Sequence, residues 1–465
     1  MNRTDVLSGQ TGLAEVQWAL NGQSSRRILR KELQAMLQPG HRPGALRLTR
    51  AKFKPERKLL AYFTCPVLDE AEKATHSVHL AVAWQKTLND TNHVDTWARL
   101  QEAADRSGLM PVQKELWRQP PDQGIRLQLW PFDPEFPQLV RLGNPAYIAD
   151  RFASLGIPHD RKRLPLVVPI RYRPGERHVL RYEFSSPTML SPQRLYAKLY
   201  SNGEAAAKAY GVANRVVDWL AANNRGLQGN RPAALSHEDG VIFYSHAPGI
   251  PLSRQLKRSR RWLGDQMRII GSALAVLHNG PEGLQSDLKQ NNFTNEVKVV
   301  KRASEHIQVL LPETYDKILE ILDQAQEYYS SLPQEKPTFT HADFKADHLL
   351  STPFGLTLID FDTCTLTDPS LDVGKFLADL DWWFALQGIS AVEEAQAEML
   401  KGYQGAGVPD PIIHERLARA RIFHVLILVK IVVRRVPIYQ KQWATMTGQM
   451  IRRAAELLQK IKSVA

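Results

Sequence analysis

The sequence predicts an α+β protein, and three features of its 465 residues carry that expectation. Residues 165–250 alternate apolar and polar side chains with the period of strands, with one helical stretch among them. From about residue 251 to the end, apolar residues recur with the period of helices. A hairpin pattern around residues 338–363 interrupts that helical part. The length exceeds one ordinary compact domain, and 43% hydrophobic residues suffice to fill more than one core. We therefore expect three parts: an N-terminal α+β domain over residues 1–160, a strand-rich part over 161–250, and a helical part over 251–465.

Composition narrows the function classes. Charged residues at 23% and aromatics at 8% are globular values, which argues against disorder. Cys65 and Cys364 are the only two cysteines, too few for a disulfide framework or a thiolate zinc site, so a reducing cytoplasm is expected. The first residues lack a basic start followed by an apolar core, and no secretory leader is expected. The apolar run Ile422–Val433 is broken by His424 and Lys430 and is too short for a bilayer; it reads as a buried helix. A net charge of +12 attracts phosphates, nucleic acids and acidic membranes alike. The basic residues are scattered and carry no base-reading motif, so neither a nucleic-acid nor a membrane partner is expected.

The elements follow in order. Leu166–Tyr172 and His178–Phe184 are strands rich in β-branched and aromatic residues, joined by a turn at Arg173, Pro174, Gly175 and Glu176. A third strand at Arg194–Tyr200 leads through Asn202-Gly203 into a helix from Glu204 toward Leu220. Val241–Tyr244 is a further strand. Helices are expected at about 263–278, around 318–322, at 371–386, 393–404 and 414–434, and toward Ile461.

The stretch Lys52–Tyr62 echoes Arg171–Tyr182, with Pro55 against Pro174 and one glycine inserted in the second. Gly124-Ile125 echoes Gly240-Val241 at nearly the same offset. Two matches at one offset are what a duplicated unit gives, with chance similarity between short basic hairpins as the alternative. On the first reading residues 1–160 hold a degenerate copy of the strand-rich part, and Lys86 occupies a place loosely like that of Lys198.

Chemistry concentrates at Phe339–Leu350 and Leu356–Asp362. A loop, a turn and an acidic residue closing an apolar strand place Asp343 and Asp360 on adjoining loops of one hairpin. Phosphoryl transfer uses that pairing: one carboxylate orients a hydroxyl and takes its proton, and another holds Mg²⁺ on the nucleotide phosphates.

His341-x-Asp343-x4-His348 followed by Ile359-Asp360-Phe361-Asp362 resembles the catalytic and metal loops of the aminoglycoside phosphotransferase and choline kinase family. Asp368-Pro369-x-x-Asp372, Leu274–His278 and Pro248-Gly249-x-Pro251-Leu252 match flanking segments, so the resemblance covers roughly residues 165–405.

It implies a two-lobed protein-kinase-like fold with an extra N-terminal α+β domain. The implied activity is ATP-dependent transfer to a hydroxyl of a sugar, aminoglycoside or amino alcohol. Asp343 is then the catalytic base, with Lys345 beside it for γ-phosphate charge and His341 ordering the loop. Asp360 is the main Mg²⁺ ligand and Asp362 its assistant. Lys198 pairs with the nucleotide phosphates, Glu204 is the carboxylate available to orient it, and Arg173 and Arg177 either reach phosphate oxygens or stay solvated in a plain turn. His348 stands where the family has Asn; as a ligand it favours Mn²⁺, and otherwise it is structural. A catalytically degenerate member that binds a nucleotide or partner without turnover is the alternative reading.

Overall fold

The structure is a computed structural model that describes Leu7 and residues 11–85, 94–120, 124–185, 193–223, 226–406 and 410–463. The chain divides into two compact units. One comprises Met1–Ala206, Ala233–His246 and Pro437–Trp443, and the other Ala207–Pro232, Ala247–Val436 and Ala444–Ala465.

The first unit holds two antiparallel sheets. In the N-terminal one are β1 (Arg42–Pro43), β2 (Arg47–Lys54), β3 (Lys58–Leu68), β4 (Ala74–Gln85), β5 (Trp117–Arg118) and β6 (Ile125–Leu129). The chain continues through β7 (Leu166–Arg173), β8 (Arg177–Phe184), β9 (Gln193–Leu199), β10 (Leu227–Gly229), β11 (Pro232–Ser236) and β12 (Val241–Ser245). All of these but β10 form the second sheet. The alternation that predicted these strands is visible in β8, where every second residue from His178 to Phe184 is buried.

The two sheets share a strand order. The second runs β7-β8-β9-β12-β11, and the first runs β2-β3-β4-β6-β5, with β1 on the same edge of β3 as β2. Each therefore reads first, second, third, fifth, fourth. A helix follows the third strand in both, Val94–Arg106 after β4 and Gly203–Ala222 after β9. Each opening hairpin also turns on a left-handed residue after a proline, Glu56 at φ 58° and Gly175 at φ 69°. In register, Leu59 faces Trp84 in the first sheet as Val179 faces Lys198 in the second. Lys86 lies outside the described residues.

Helices Gln138–Gly143 and Pro145–Ser154 bury Leu139, Ile148 and Phe152 in one core with Tyr62 and Ala81 of the first sheet and Tyr182, Ala197 and Phe243 of the second. Their polar edge converges on Asp239, which is buried. It accepts from Arg141 at 2.6 Å, Tyr147 at 2.7 Å and Ser236 at 2.6 Å, with Arg151 at 3.1 Å.

The second unit is mainly helical. Its strands besides β10 are β13 (Ile250–Pro251), β14 (Thr338–Thr340), β15 (Leu349–Thr352), β16 (Gly355–Leu358) and β17 (Thr365–Thr367). Helices Arg260–His278, Pro312–Ser331, Ser370–Gln387, Val392–Gln404, Asp410–Arg435 and Trp443–Lys462 lie close to the predicted spans. Ser370–Gln387 packs on Asp410–Arg435 so closely that a Cβ at Gly374 would fall 2.6 Å from the Ala420 carbonyl oxygen. Among the described residues no helix is long and apolar enough to cross a membrane.

Candidate active site

The site is built on the β15–β16 hairpin of the second unit. Leu349 pairs with Leu358 and Thr352 with Gly355, while β14 pairs with β17, so the loop after β14 and the end of β16 are neighbours. Ile359 N–H donates to the His348 carbonyl at 3.0 Å, drawing the two loops together just before Asp360. Asp360 itself adopts a left-handed backbone at φ 68°, uncommon outside glycine, which turns the chain sharply out of the strand.

The catalytic-loop candidate is held from behind. Asp372, fully buried near the start of helix Ser370–Gln387, accepts the N–H of His341 at 2.6 Å and of Ala342 at 2.7 Å. Ala342 is left-handed at φ 57°, so these two bonds sustain a conformation the chain would otherwise leave. His341 is fully buried; its Nδ1 accepts the Asp343 N–H at 3.3 Å and its carbonyl accepts Thr363 Oγ1–H at 2.9 Å. Further along, Ala346 N–H donates to Asp379 at 2.8 Å.

At the centre Asp343 is flanked by two ammonium groups. Lys345 Nζ lies 2.5 Å from Oδ2, and Lys375 Nζ, only 7% exposed, lies 2.8 Å from Oδ1. Burial alone pushes the carboxyl up, but the Lys375 and Lys345 charges outweigh it and hold Asp343 well below the usual carboxylate range. His348 sits between the two carboxylates, with Nδ1 3.7 Å from Asp343 Oδ2 and Nε2 3.5 Å from Asp360 Oδ2. Burial, and then the Lys345 charge, pull its imidazole down to about 3, so the ring is neutral at neutral pH.

Asp343, His348 and Asp360 offer one ligand atom each, all within 4.8 Å of one another. Among the described residues His348 Nδ1 is buried without a hydrogen-bond partner, as a nitrogen kept for a cation would be. Two carboxylates and a neutral imidazole fit a divalent ion. Asp347, beside them in sequence, turns instead to Ser253 Oγ–H at 2.5 Å and is not part of that cluster.

The structure thus brings together His341, Asp343, Lys345, His348 and Asp360, with Asp362 two residues further on in the turn Phe361–Thr363. The remaining candidates belong to the first unit. Lys198 stands on β9 between Val179 and Ile242. Glu204, proposed from the sequence to orient it, is exposed in the first helical turn and makes no ion pair among the described residues. Arg173 and Arg177 face each other across the hairpin turn. Burial and the charges of Arg50 and Arg171 pull the Arg173 guanidinium down to about 10, an electropositive spot that an anion would relieve. Lys375 escaped the sequence reading; its one signal was a lysine in an otherwise apolar helical stretch three residues after Asp372.

Comparison with known proteins places these features in context. A choline kinase of Cryptosporidium parvum Iowa II superposes with a TM-score of 0.47 at 14% identity, over 68% of this chain and 96% of its own. An amicoumacin kinase in complex with AMP-PNP, Ca²⁺ and Ami gives 0.44 at 14%, over 66% and 92%. A Plasmodium vivax ethanolamine kinase gives 0.41 at 11%, over 64% and 83%. No curated protein matches the sequence significantly. Residues 174–410, just over half of the chain, match the model of the phosphotransferase enzyme family. The chain belongs to that phosphotransferase enzyme family, and its described residues form an α+β fold.

Proposed function

We propose that the protein transfers the γ-phosphoryl group of ATP to a hydroxyl of a small sugar-, aminoglycoside- or amino-alcohol-type molecule. The observation that carries this reading is Asp343, ionised between Lys345 and Lys375, with His348 between it and Asp360.

Asp343 accepts a hydrogen bond from the acceptor hydroxyl, aims its oxygen at the γ-phosphorus, and receives the proton as the new O–P bond forms and the bond to the β-phosphate oxygen breaks. A carboxylate held so far below its usual range is a weak base, so its main contribution is orientation, with proton transfer late, as a loose phosphoryl-transfer transition state allows. Lys345 and Lys375 balance negative charge on the moving group. The same two ammonium groups disfavour a polycationic acceptor at this carboxylate. Asp360, His348 and, as an assistant, Asp362 would hold a divalent ion. Such an ion supplies charge neutralisation on the nucleotide phosphates. Lys198 takes the α- and β-phosphates, and Arg173 and Arg177 in the turn assist.

We extend the reading to the domain organisation. Residues 1–160 are taken as a copy of the small lobe at 161–250, with 251–465 as the large lobe. The shared strand order and opening hairpin support this, and Trp84 at the register position of Lys198 suits a copy without a nucleotide of its own. Two free cysteines suit a reducing cytoplasm.

Turnover of ATP with a panel of hydroxyl acceptors tests the assignment. Asp343→Asn should lose roughly 10²–10⁴-fold in turnover and still bind Mg·ATP, whereas Asp360→Ala should lose both. Wild-type rates in both variants on an accepted substrate would refute it.

A further inference from the structure

The family match begins at Pro174, inside the turn between β7 and β8, so the chain before it lies outside the matched kinase segment. Yet that earlier chain supplies the atoms that hold this turn. Gly175, left-handed at φ 69°, donates its N–H to Asp133 Oδ2 at 2.9 Å. The same oxygen lies 2.7 Å from His178 Nε2 at the start of β8. Asp133 is 2% exposed and His178 is fully buried, so this junction is shielded from water. One residue before Asp133, the Phe132 carbonyl accepts Tyr172 O–H at 2.6 Å. Lys52 of β2 reaches Glu176 Oε1 at 2.6 Å. Residues 172, 175, 176 and 178 are therefore each tied to the N-terminal part of the chain.

Packing adds to these polar contacts on the flanks of the turn, where Tyr172 joins Tyr62 and Phe136 in one core and the His178 ring lies 5.1 Å from that of Phe136. A cavity of about 320 Å³ opens beside the turn, with Pro174, Gly175 and Glu176 on one side and Tyr62, Trp97 and Arg126 among the residues on the other. At the turn itself, Gly175 and Glu176 are held by discrete hydrogen bonds beside that space. The turn also lacks the run of glycines with which a loop can mould itself to phosphate, so its shape has to be set beforehand.

We infer that Asp133 is a positioning residue for nucleotide binding: with Lys52 it presets the turn Arg173–Arg177 to receive phosphate oxygens. The inference rests on the proposed role of that turn over ATP. The N-terminal part then acts as an outside brace for the nucleotide site, and it needs no ligand of its own to do so.

The test is Mg·ATP affinity by titration calorimetry on the full chain, which requires no knowledge of the acceptor. Asp133→Ala should weaken Mg·ATP about tenfold, the worth of one charge-assisted hydrogen bond, and speed hydrogen exchange at the Gly175 amide. Asp133→Glu should restore part of the affinity. Lys52→Glu, on a side chain 39% exposed, should fold normally and weaken binding, and Lys52→Glu combined with Glu176→Lys should restore it. That pair decides the matter if Asp133→Ala fails to fold. Unchanged affinity in Lys52→Glu and in a folded Asp133→Ala would overturn the brace while leaving the kinase reading intact. A wild-type chain that binds no Mg·ATP would instead overturn the kinase reading, and the brace with it.

Discussion

Replacing Asp372 with alanine should dismantle the loop that bears Asp343, and the structure sets the size of the effect. Its carboxylate accepts two backbone N–H groups, the buried one of His341 at 2.6 Å and the half-buried one of Ala342 at 2.7 Å, and lies 3.4 Å from His278 Nε2. Each buried donor left without an acceptor costs about 1–3 kcal/mol. Against this, Ala342 is released from a left-handed conformation that costs roughly 1–2 kcal/mol. The net should be near 3 kcal/mol of lost stability, read from urea denaturation. Asp372→Asn keeps one acceptor and should lose about half of that. Hydrogen exchange at the His341 and Ala342 amides distinguishes a locally opened loop from a uniformly weakened unit, since only the former exposes those two amides selectively. Turnover should fall with the loop, because Asp343 hangs on it. A change in unfolding free energy below about 0.5 kcal/mol, with both amides still protected, would mean that Asp372 does not hold the loop.

Three further outcomes are expected. Lys375→Met removes the cation 2.8 Å from Asp343 Oδ1 and should cut turnover roughly 10–100-fold with Mg·ATP affinity nearly unchanged; equal turnover in steady-state assays would reduce Lys375 to a packing role. His348→Asn exchanges a neutral imidazole for an amide oxygen, so the ratio of Mg²⁺- to Mn²⁺-supported turnover should rise; an unchanged ratio would make His348 structural. Asp239→Asn should destabilise the first unit by about 3 kcal/mol at pH 7. Burial raises the Asp239 carboxyl, but Ser236, Tyr147 and Arg141 together hold it below its ordinary value. Its contribution is therefore present above about pH 4 and lost as pH falls through the lowered value. The gap between wild type and variant in urea melts should close only there, and a gap that stays constant into acid would refute the assignment.

The hairpin that carries Asp343 and Asp360 was legible because everything defining it is local. A period of two, a turn at Ser351–Gly355 and an apolar strand ending in aspartate all lie within about twenty residues of sequence. The strands of the second sheet were legible for the same reason. Glu204 was chosen on proximity in sequence alone, and it stands exposed in the first turn of its helix. Asp133 left no sign, since its partners lie some forty residues on and neither end forms a motif.

Lys375 is different, because a sharper rule would have found it. Helix Ser370–Gln387 is buried along most of its length, and a charge inside such a helix persists only when paired or in use. Asp372 holds the loop, Lys375 meets Asp343, Asp379 binds Arg435 and the Ala346 N–H, and Asp381 binds His424 and Arg453. The rule also covers the apolar helix Asp410–Arg435. There Arg416 and Arg419 pair with Glu335, Arg419 also with Asp368, and Lys430 with Glu296. The charges that this helix buries, Arg416, Arg419 and Lys430, are thus each answered by a protein partner, as an interior helix requires. Of the four charges in Ser370–Gln387, Asp372, Lys375 and Asp379 find partners in the loop that bears Asp343, and these three positions are where the helix supports the candidate site as well as the core.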